Sequence, residues 1–495
     1  MRRFSIPDLS GVAHRFAAFM FASVLVVLNV LRIFNVPITH DETGYSAHHS
    51  YTDLIVNRYA SANNHVLHSL IRKFLVEYFT DSLFFLRADS LVAQVIFLLS
   101  TYGICSLLTL RRWLGLAGFV LLNVVSPLLF QFWGLSRGYG LALALLSVSV
   151  LYLLRYINAG RSYFLIVSLI AAILSVYSIF SFINFYLAVC GVTIVHRMLF
   201  GRSAELRTKS GHEFLLLLAS AVVLAALITV PLFNVYGHDG LQFMGTNGFW
   251  ADTVSSLLKE AILISNSTKD TIKILGIVIA VFSVLPSVYW FVLYIKTVQG
   301  KVLPNRSLQI GVVLYLLFFI PAVSVILQHA LFGINYVIDR TALFFIPLFF
   351  IHLVHWLNHI VNGHKILGTI IGLVFFGAGC YNFCSNANVT HTHLWWYNAA
   401  DNVVLERIKM QHKGARMVKV CVGWIHEPSF MYNAQHYFPG QFTIAGSGAA
   451  NKDTAINYYY VSVSEADQLP AGFFRDTVYV GGAFALYRRT VTDKN

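Results

Sequence analysis

Apolar residues run along this chain in long blocks. Such blocks cover about 13–35, 88–110, 113–133, 138–157, 162–181, 183–200, 213–236, 272–295, 307–328, 338–357 and 365–385. Each approaches the roughly 20 residues that a helix needs to cross a bilayer, which predicts about 11 transmembrane helices. The first block follows Met1-Arg2-Arg3 as a signal peptide would, but no small-residue cleavage site follows it, so it reads as a retained signal anchor. From about His391 the pattern changes. Alternation over 417–422, 456–463 and 477–487 predicts strands, and 402–411 predicts a helix. The expected organisation is a membrane domain over 1–388 and a soluble α/β domain over 389–495.

Composition agrees with that reading. The chain of 495 residues is 57% hydrophobic and 12% charged, against roughly a quarter charged in soluble domains. Its net charge of +13 could suggest nucleic acid. The cations, however, lie mostly in short links between apolar blocks, so topology explains them and no nucleic-acid partner is expected. With the N-terminus in the cytoplasm, Arg111, Arg112, Arg155, Arg161, Arg197, Arg202, Arg207, Lys209, Lys296, Lys301, Arg306 and Lys365 all fall on inner links, as the positive-inside rule requires. The same parity places the C-terminal domain outside. No CxxC or CxxH spacing suggests a thiolate metal site, and Cys384 and Cys421 could form a disulfide.

The chemistry-bearing residues gather on the predicted outer links. His40-Asp41-Glu42-Thr43-Gly44-Tyr45 follows the first block. Two adjacent carboxylates pack poorly at a membrane surface, and in an irregular turn they point apart, so one can act as a general base while the other holds the loop. A solvated turn is the plainer alternative. Residues 63–79 place Val66, Leu67, Leu70, Ile71, Phe74, Leu75 and Tyr78 on one helical face, with His65, His68 and Arg72 on another. This predicts an interfacial helix lying flat, its cationic side towards anionic head groups. Arg137, in Ser136-Arg137-Gly138-Tyr139, sits close to hydrocarbon, where a guanidinium is costly unless paired. The loop 237–271 carries His238, Asp239, Trp250, Asp252, Lys259 and Glu260, with a second interfacial helix predicted over 253–264. Asp339-Arg340 opens a later block, and Arg favours bidentate phosphate recognition.

In their order and placement these features resemble the GT-C glycosyltransferases, in particular the branch containing protein O-mannosyltransferases and the lipid A aminoarabinose transferase. The motifs that carry the resemblance are His40-Asp41-Glu42, Asn63-Asn64-His65-Val66-Leu67, Leu86-Arg87-Ala88-Asp89-Ser90, Ser136-Arg137-Gly138-Tyr139 and Asp339-Arg340. The resemblance implies a polytopic GT-C-like fold in a plasma or inner membrane, or in the endoplasmic reticulum of a eukaryote. It implies transfer of a sugar, with inversion, from a polyprenyl- or dolichyl-phosphate donor to a protein, lipid or polysaccharide hydroxyl outside the cytoplasm. Asp41 would then be the general base and Glu42 its positioning neighbour, while Arg72, Arg137, Arg340 and His65 would bind the donor phosphate. Asn64, His68, Arg87, Tyr139, Lys259 and Asp339 are further site candidates, and His65 could help hold a divalent metal. A lipid-linked sugar flippase or transporter, a ligase or polymerase of the O-antigen type using a diphosphate carrier, and a non-enzymatic receptor are the competing readings.

Overall fold

The computed structural model describes residues 9–43, 49–61, 64–200, 210–237, 245–263, 268–299, 305–412 and 417–489. Gly44, Tyr45, Asn63, Arg202, Arg207, Lys209, His238, Asp239 and Lys301, all singled out above, lie outside them. Contacts divide the chain into two compact units, Met1–Asn29 with His49–Ala387 and Val30–His48 with Asn388–Asn495. The acidic turn at Asp41 thus groups with the C-terminal part of the chain.

The long helices are α1 (Leu9–Asn35), α4 (Leu83–Leu108), α7 (Gly138–Ala159), α9 (Ile183–Phe200), α10 (Ser210–Tyr236), α11 (Lys269–Gln299), α12 (Arg306–Phe332), α13 (Phe345–Gly363) and α14 (Lys365–Asn386). Among the described residues these nine are long and apolar enough to cross a membrane, and the chain is a multi-pass membrane protein. Two shorter apolar helices, α5 (Arg112–Val124) and α8 (Ser162–Ser178), complete the eleven predicted positions. The block 113–133 is broken because Ser126 caps a new short helix, α6 (Pro127–Phe132), whose first residue is a proline without an N–H to donate. The block 338–357 starts late. Asp339–Ala342 forms a tight 3-10 turn, and the long helix begins only at Phe345.

Burial separates central from peripheral helices. Gly138–Ala159 and Phe345–Gly363 bury 72% and 83% of their most apolar windows, whereas Gly211–Tyr236, Lys269–Thr297 and Lys365–Asn386 bury 17%. Side chains such as Val222, Phe233, Ile274 and Leu373 stand exposed on the peripheral helices. Exposed apolar faces are what lipid requires, since hydrocarbon solvates them without cost. Two small helices, α2 (Tyr51–Val56) and α3 (Val66–Tyr78), precede α4. The segment predicted as an interfacial helix over 253–264 is wound more widely, as two π-helical stretches, Phe249–Val254 and Leu257–Leu263.

In the second unit, α15 (Asp401–Gln411), β1 (Val418–Val422), α16 (Glu427–Tyr437), β2 (Phe442–Ser447), β3 (Tyr458–Ser462), β4 (Phe473–Tyr479) and β5 (Phe484–Arg489) form one sheet and its helices. The strand order is β2-β1-β3-β5-β4, with β1 parallel to β2 and β3, and β5 antiparallel to β3 and β4. One face packs Val404, Leu405 and Ile408 on Val420, Tyr460 and Leu486, and the other buries Cys421, Tyr459, Val461 and Tyr487. Strands covered on both faces lose the alternation of a half-exposed strand. The strand predicted over 477–487 is in fact two, split by a turn at Gly481 and Gly482 with φ of 64° and 94°, which glycine adopts freely. All five cysteines are free thiols, so Cys384 and Cys421 are not bridged.

Candidate functional site

In the second unit, His40–Glu42 forms a single 3-10 turn. Glu42 folds back on it: the Thr39 N–H donates to Glu42 Oε2 at 2.9 Å, and the Glu42 N–H donates to the Thr39 carbonyl at 3.0 Å. Glu42 is buried and Asp41 half-buried. The two neighbouring carboxylates therefore do different things, and Glu42 is the one that holds the loop.

Behind this turn lies a polar network that sequence reasoning missed. The His40 N–H donates to Asn398 Oδ1 at 3.1 Å, and His40 Nδ1 donates to the Ile425 carbonyl at 2.9 Å. Asn398 Nδ2 donates to Asp401 Oδ2 at 2.8 Å, His426 Nδ1 donates to Asp401 Oδ1 at 2.9 Å, and Ser429 Oγ also donates to Asp401. Asn398, Asp401, His426 and Ser429 are all buried. A buried carboxylate needs such donors to offset its lost hydration. No spacing signal announces the network, because its members meet only when α15 and α16 pack together.

In the first unit several of the polar residues predicted to lie on outer links converge. His68 Nδ1 bonds Asp89 Oδ2, and Ser136 Oγ lies 3.3 Å from His68 Nε2, so one imidazole links α3, α4 and the turn before α7. Ser90 Oγ donates to the Leu135 carbonyl at 2.6 Å and ties the same turn to α4. Gly138 is there for space: a Cβ would stand 2.7 Å from His65 Cβ and 2.9 Å from the Ser178 carbonyl oxygen. Tyr139 places its ring 5.1 Å from the His65 ring and 6.0 Å from the Arg137 guanidinium carbon.

His65 carries the clearest electrostatic signature. Burial, followed by the charges of Arg137, His68 and Arg340, drives its pKa well below the usual imidazole range. It is therefore neutral at pH 7, held close to two guanidinium groups, and its Nε2 is buried without a hydrogen-bond partner among the described residues. Arg72, Arg87 and Arg137 are buried as well.

The face of α3 is inverted relative to expectation. His65, His68 and Arg72 point into the protein, whereas Phe74 and Tyr78 are exposed. The cationic side thus meets α4, α7 and α8, not head groups. Asn64 is buried too, and its Nδ2 donates to the Leu54 carbonyl at 2.8 Å and to Asn57 Oδ1 at 3.2 Å, bracing α2 against the start of α3.

Asp339 and Arg340 sit on a strained turn. Asp339 has φ of 46°, and its N–H donates to Ser256 Oγ at 2.9 Å. Burial and the nearby Glu260 raise its pKa, against the opposing effects of Arg340, Ser256 and Lys259. Lys259 is more exposed and pairs with Glu260 at 2.8 Å. Alongside lies an apolar cavity of about 250 Å³ walled by Phe249, Trp250, Leu257, Phe318 and Phe345. Thr253 also lines it and donates through Oγ1 to the Val337 carbonyl at 2.6 Å, two residues before Asp339. Among the described residues no group of three or more His, Cys, Asp or Glu side chains is placed to hold a metal ion.

No protein-family model matches the chain, and no curated protein sequence matches it. Solved structures do show a likeness over nearly its whole length. ArnT from Cupriavidus metallidurans bound to undecaprenyl phosphate is 10% identical, covers 98% of this chain and 99% of its own, and superposes with a TM-score of 0.46. Its apo state gives 0.48 at 10% identity, covering 96% and 98%. The Archaeoglobus fulgidus oligosaccharyltransferase tethered to an acceptor peptide with an NVT sequon gives 0.43 at 12% identity, covering 95% of this chain and 74% of that one. ArnT is a lipid A aminoarabinose transferase, and both proteins belong to the GT-C superfamily.

Proposed function

We propose that this protein transfers a sugar from a polyprenyl- or dolichyl-phosphate carrier to a hydroxyl acceptor on the non-cytoplasmic side of its membrane. The observation that carries this reading is a juxtaposition in the first unit. A cation-rich cluster containing buried His65 and Arg137 and half-buried Arg340 adjoins a turn whose other side is an apolar cavity walled by Trp250, Phe318 and Phe345. A lipid phosphate presents that combination of a compact anion and a hydrocarbon tail.

In the proposed reaction Asp41 accepts the proton of the acceptor hydroxyl, in the role that the GT-C resemblance assigns to it. The acceptor oxygen attacks the anomeric carbon as the bond from that carbon to the phosphate oxygen breaks, and the configuration inverts. The electron pair of the broken bond stays on the lipid phosphate, which leaves as an anion and needs no general acid. Arg137 and Arg340 stabilise the growing negative charge, and neutral His65 donates or accepts a hydrogen bond through Nε2. Glu42 keeps the Asp41 turn closed through Thr39.

The test is product analysis by mass spectrometry with purified full-length protein, a panel of polyprenyl-phosphate sugars, and mixed protein, lipid and polysaccharide acceptors. The wild type should transfer from a monophosphate donor, and Asp41→Asn should lose transfer while still binding donor. Turnover equal to wild type in Asp41→Asn removes Asp41 as base. Transfer only from diphosphate carriers favours the ligase or polymerase reading, and translocation without transfer in proteoliposomes favours a transporter.

A further inference from the structure

A second cavity is tied to the turn that carries Arg340. It measures about 430 Å³ and lies among the predicted outer ends of α9, α10 and α12. That volume falls within the ~300–1,000 Å³ typical of ligand sites. Buried Ser181, in its wall, donates through Oγ to the Thr341 carbonyl at 2.7 Å, one residue after Arg340. The apolar cavity beside Trp250 is fastened to the same segment through Thr253 and the Val337 carbonyl.

The two cavities differ in chemistry. The first is walled mainly by hydrocarbon and aromatic side chains, whereas the second carries the amides of Asn184, Gln328 and Asn335 beside the rings of Phe180 and Tyr236. Among the described residues no Asp, Glu, Lys, Arg or His lines the second. Polar side chains at the ends of spans are costly and tend to be functional. An interhelical tie accounts for part of the set. Gln328 Nε2 donates to Asn184 Oδ1 at 3.0 Å and to Ser324 Oγ at 3.2 Å, and Asn184 Nδ2 donates to the Ser181 carbonyl at 2.9 Å, which joins α9 to α12. That tie leaves over Gln328 Oε1 and the whole amide of half-buried Asn335, neither of which has a hydrogen-bond partner among the described residues. It also calls for no open space beside them.

Resting on the reading of the protein as a glycosyltransferase with a lipid-phosphate donor, we propose that this cavity holds the donor's sugar and that the sugar is neutral. An amide offers both a donor and an acceptor, which matches hydroxyl groups that do the same. Aromatic walls with a few placed polar groups are the usual make-up of a small-molecule site. A charged sugar finds no counter-charge among the described lining residues, and a buried charge without a partner is costly. Gln328 and Asn335 take the sugar hydroxyls, and Asn184 is a positioning residue that holds Gln328 in place. The tail, the phosphate and the sugar of one donor then all meet on the short segment 335–341.

Calorimetric titration of the full-length protein in detergent, without acceptor, tests the site. The probes are short-chain polyprenyl phosphates carrying glucose, galactose, mannose, arabinose or cationic aminoarabinose, with the methyl ester of the same lipid phosphate as a sugar-free control of equal phosphate charge. At least one neutral form should bind the wild type about 5- to 100-fold more tightly than the methyl ester, the worth of two neutral hydrogen bonds. Gln328→Leu should remove about 2- to 10-fold of that preference and leave methyl ester binding unchanged. Leu232→Trp keeps every polar group, fills the cavity from α10 and should abolish the preference, again without loss of the methyl ester. Neutral forms that bind no better than the methyl ester overturn the proposal, as does tighter binding of the aminoarabinose form. A preference undiminished in both variants also overturns it. If the methyl ester and every sugar form fail to bind, the donor reading itself has failed and the proposal falls with it, an outcome distinct from the other two.

Discussion

The Asp401 network behind the acidic turn yields a sharp quantitative expectation for Asp401→Asn. In the wild type, Oδ1 accepts from His426 and Oδ2 accepts from Asn398 and Ser429, with all four residues buried. An amide has the same shape but only one acceptor oxygen, so in either orientation an N–H faces a donor. The less costly orientation keeps the oxygen on His426 Nδ1 and turns the NH2 towards Ser429 and Asn398. Ser429 has an alternative acceptor in the His426 carbonyl at 2.9 Å, and Asn398 Nδ2 has one in Ser429 Oγ at 2.9 Å. The expected loss is therefore close to one charge-assisted hydrogen bond, about 1.5–3 kcal/mol. That amount is a sizeable part of the ~5–15 kcal/mol that holds a domain together, and it should speed global opening about 10- to 150-fold. Hydrogen–deuterium exchange on the full-length protein reads this directly at the amides of Val420, Tyr460 and Leu486, in the three central strands. Exchange that changes less than about threefold at those amides would refute the account of the network as an anchor. The His40 amide should respond as well, since its acceptor Asn398 is held by Asp401.

Arg340→Ala should raise the KM for the lipid-phosphate donor by about tenfold or more, the worth of a hydrogen bond to a charged group. An unchanged dependence of rate on donor concentration would take Arg340 out of the phosphate site. Asp89→Ala removes the buried hydrogen-bond partner of His68 and should cost about 1.5–3 kcal/mol, visible as a lower Tm in detergent; an unchanged Tm would contradict it. Asp339→Asn should stabilise the protein at neutral pH, because asparagine tolerates the φ of 46° and carries no charge to bury. The raised pKa of Asp339 means that the folded state favours its protonated form, so its stability contribution is complete below the ordinary value of 3.8 and is lost as pH rises through the folded value. The gain in Tm from Asp339→Asn should therefore grow with pH, and a difference that does not vary with pH would refute this reading.

How much of this could be read from the sequence depended on the range of the interaction. Spans set by local hydropathy were legible, and the eleven blocks coincide with nine long helices and two short apolar ones. Breaks within them came from short-range chemistry that average hydropathy smooths over, as at the Ser126-Pro127 start of a new helix and the Asp339 turn. In the C-terminal part, the alternation over 477–487 hid a Gly481-Gly482 turn. There α16 also went unpredicted, as did β2, a part-exposed strand at the edge of the sheet. The pairings of His68 with Asp89 and of Asp401 with His426 span 21 and 25 residues. Nothing in a linear pattern joins such positions. Even so, Asp89 lay within a motif already picked out for its place at a helix entrance.

The inversion of α3 shows why polar residues predicted to lie outside come together in the first unit. The sequence reading of 63–79 as an interfacial helix lying flat sends His65, His68 and Arg72 outward, towards lipid head groups. Beside hydrocarbon the preference reverses, because a charge facing lipid is costly unless it is satisfied by protein. Phe74 and Tyr78 accordingly take the exposed side, and His65, His68 and Arg72 turn towards α4 and α7, where Asp89, Ser136 and Arg137 await them. The same force explains why Arg87 and Arg137 are buried rather than spread over the surface. On the proposal that this cluster holds the donor phosphate, with Arg137 close to neutral His65, inorganic phosphate or a short-chain lipid phosphate should raise the Tm of the wild type more than that of Arg137→Gln, and an equal shift in the two would leave the cluster a purely structural one.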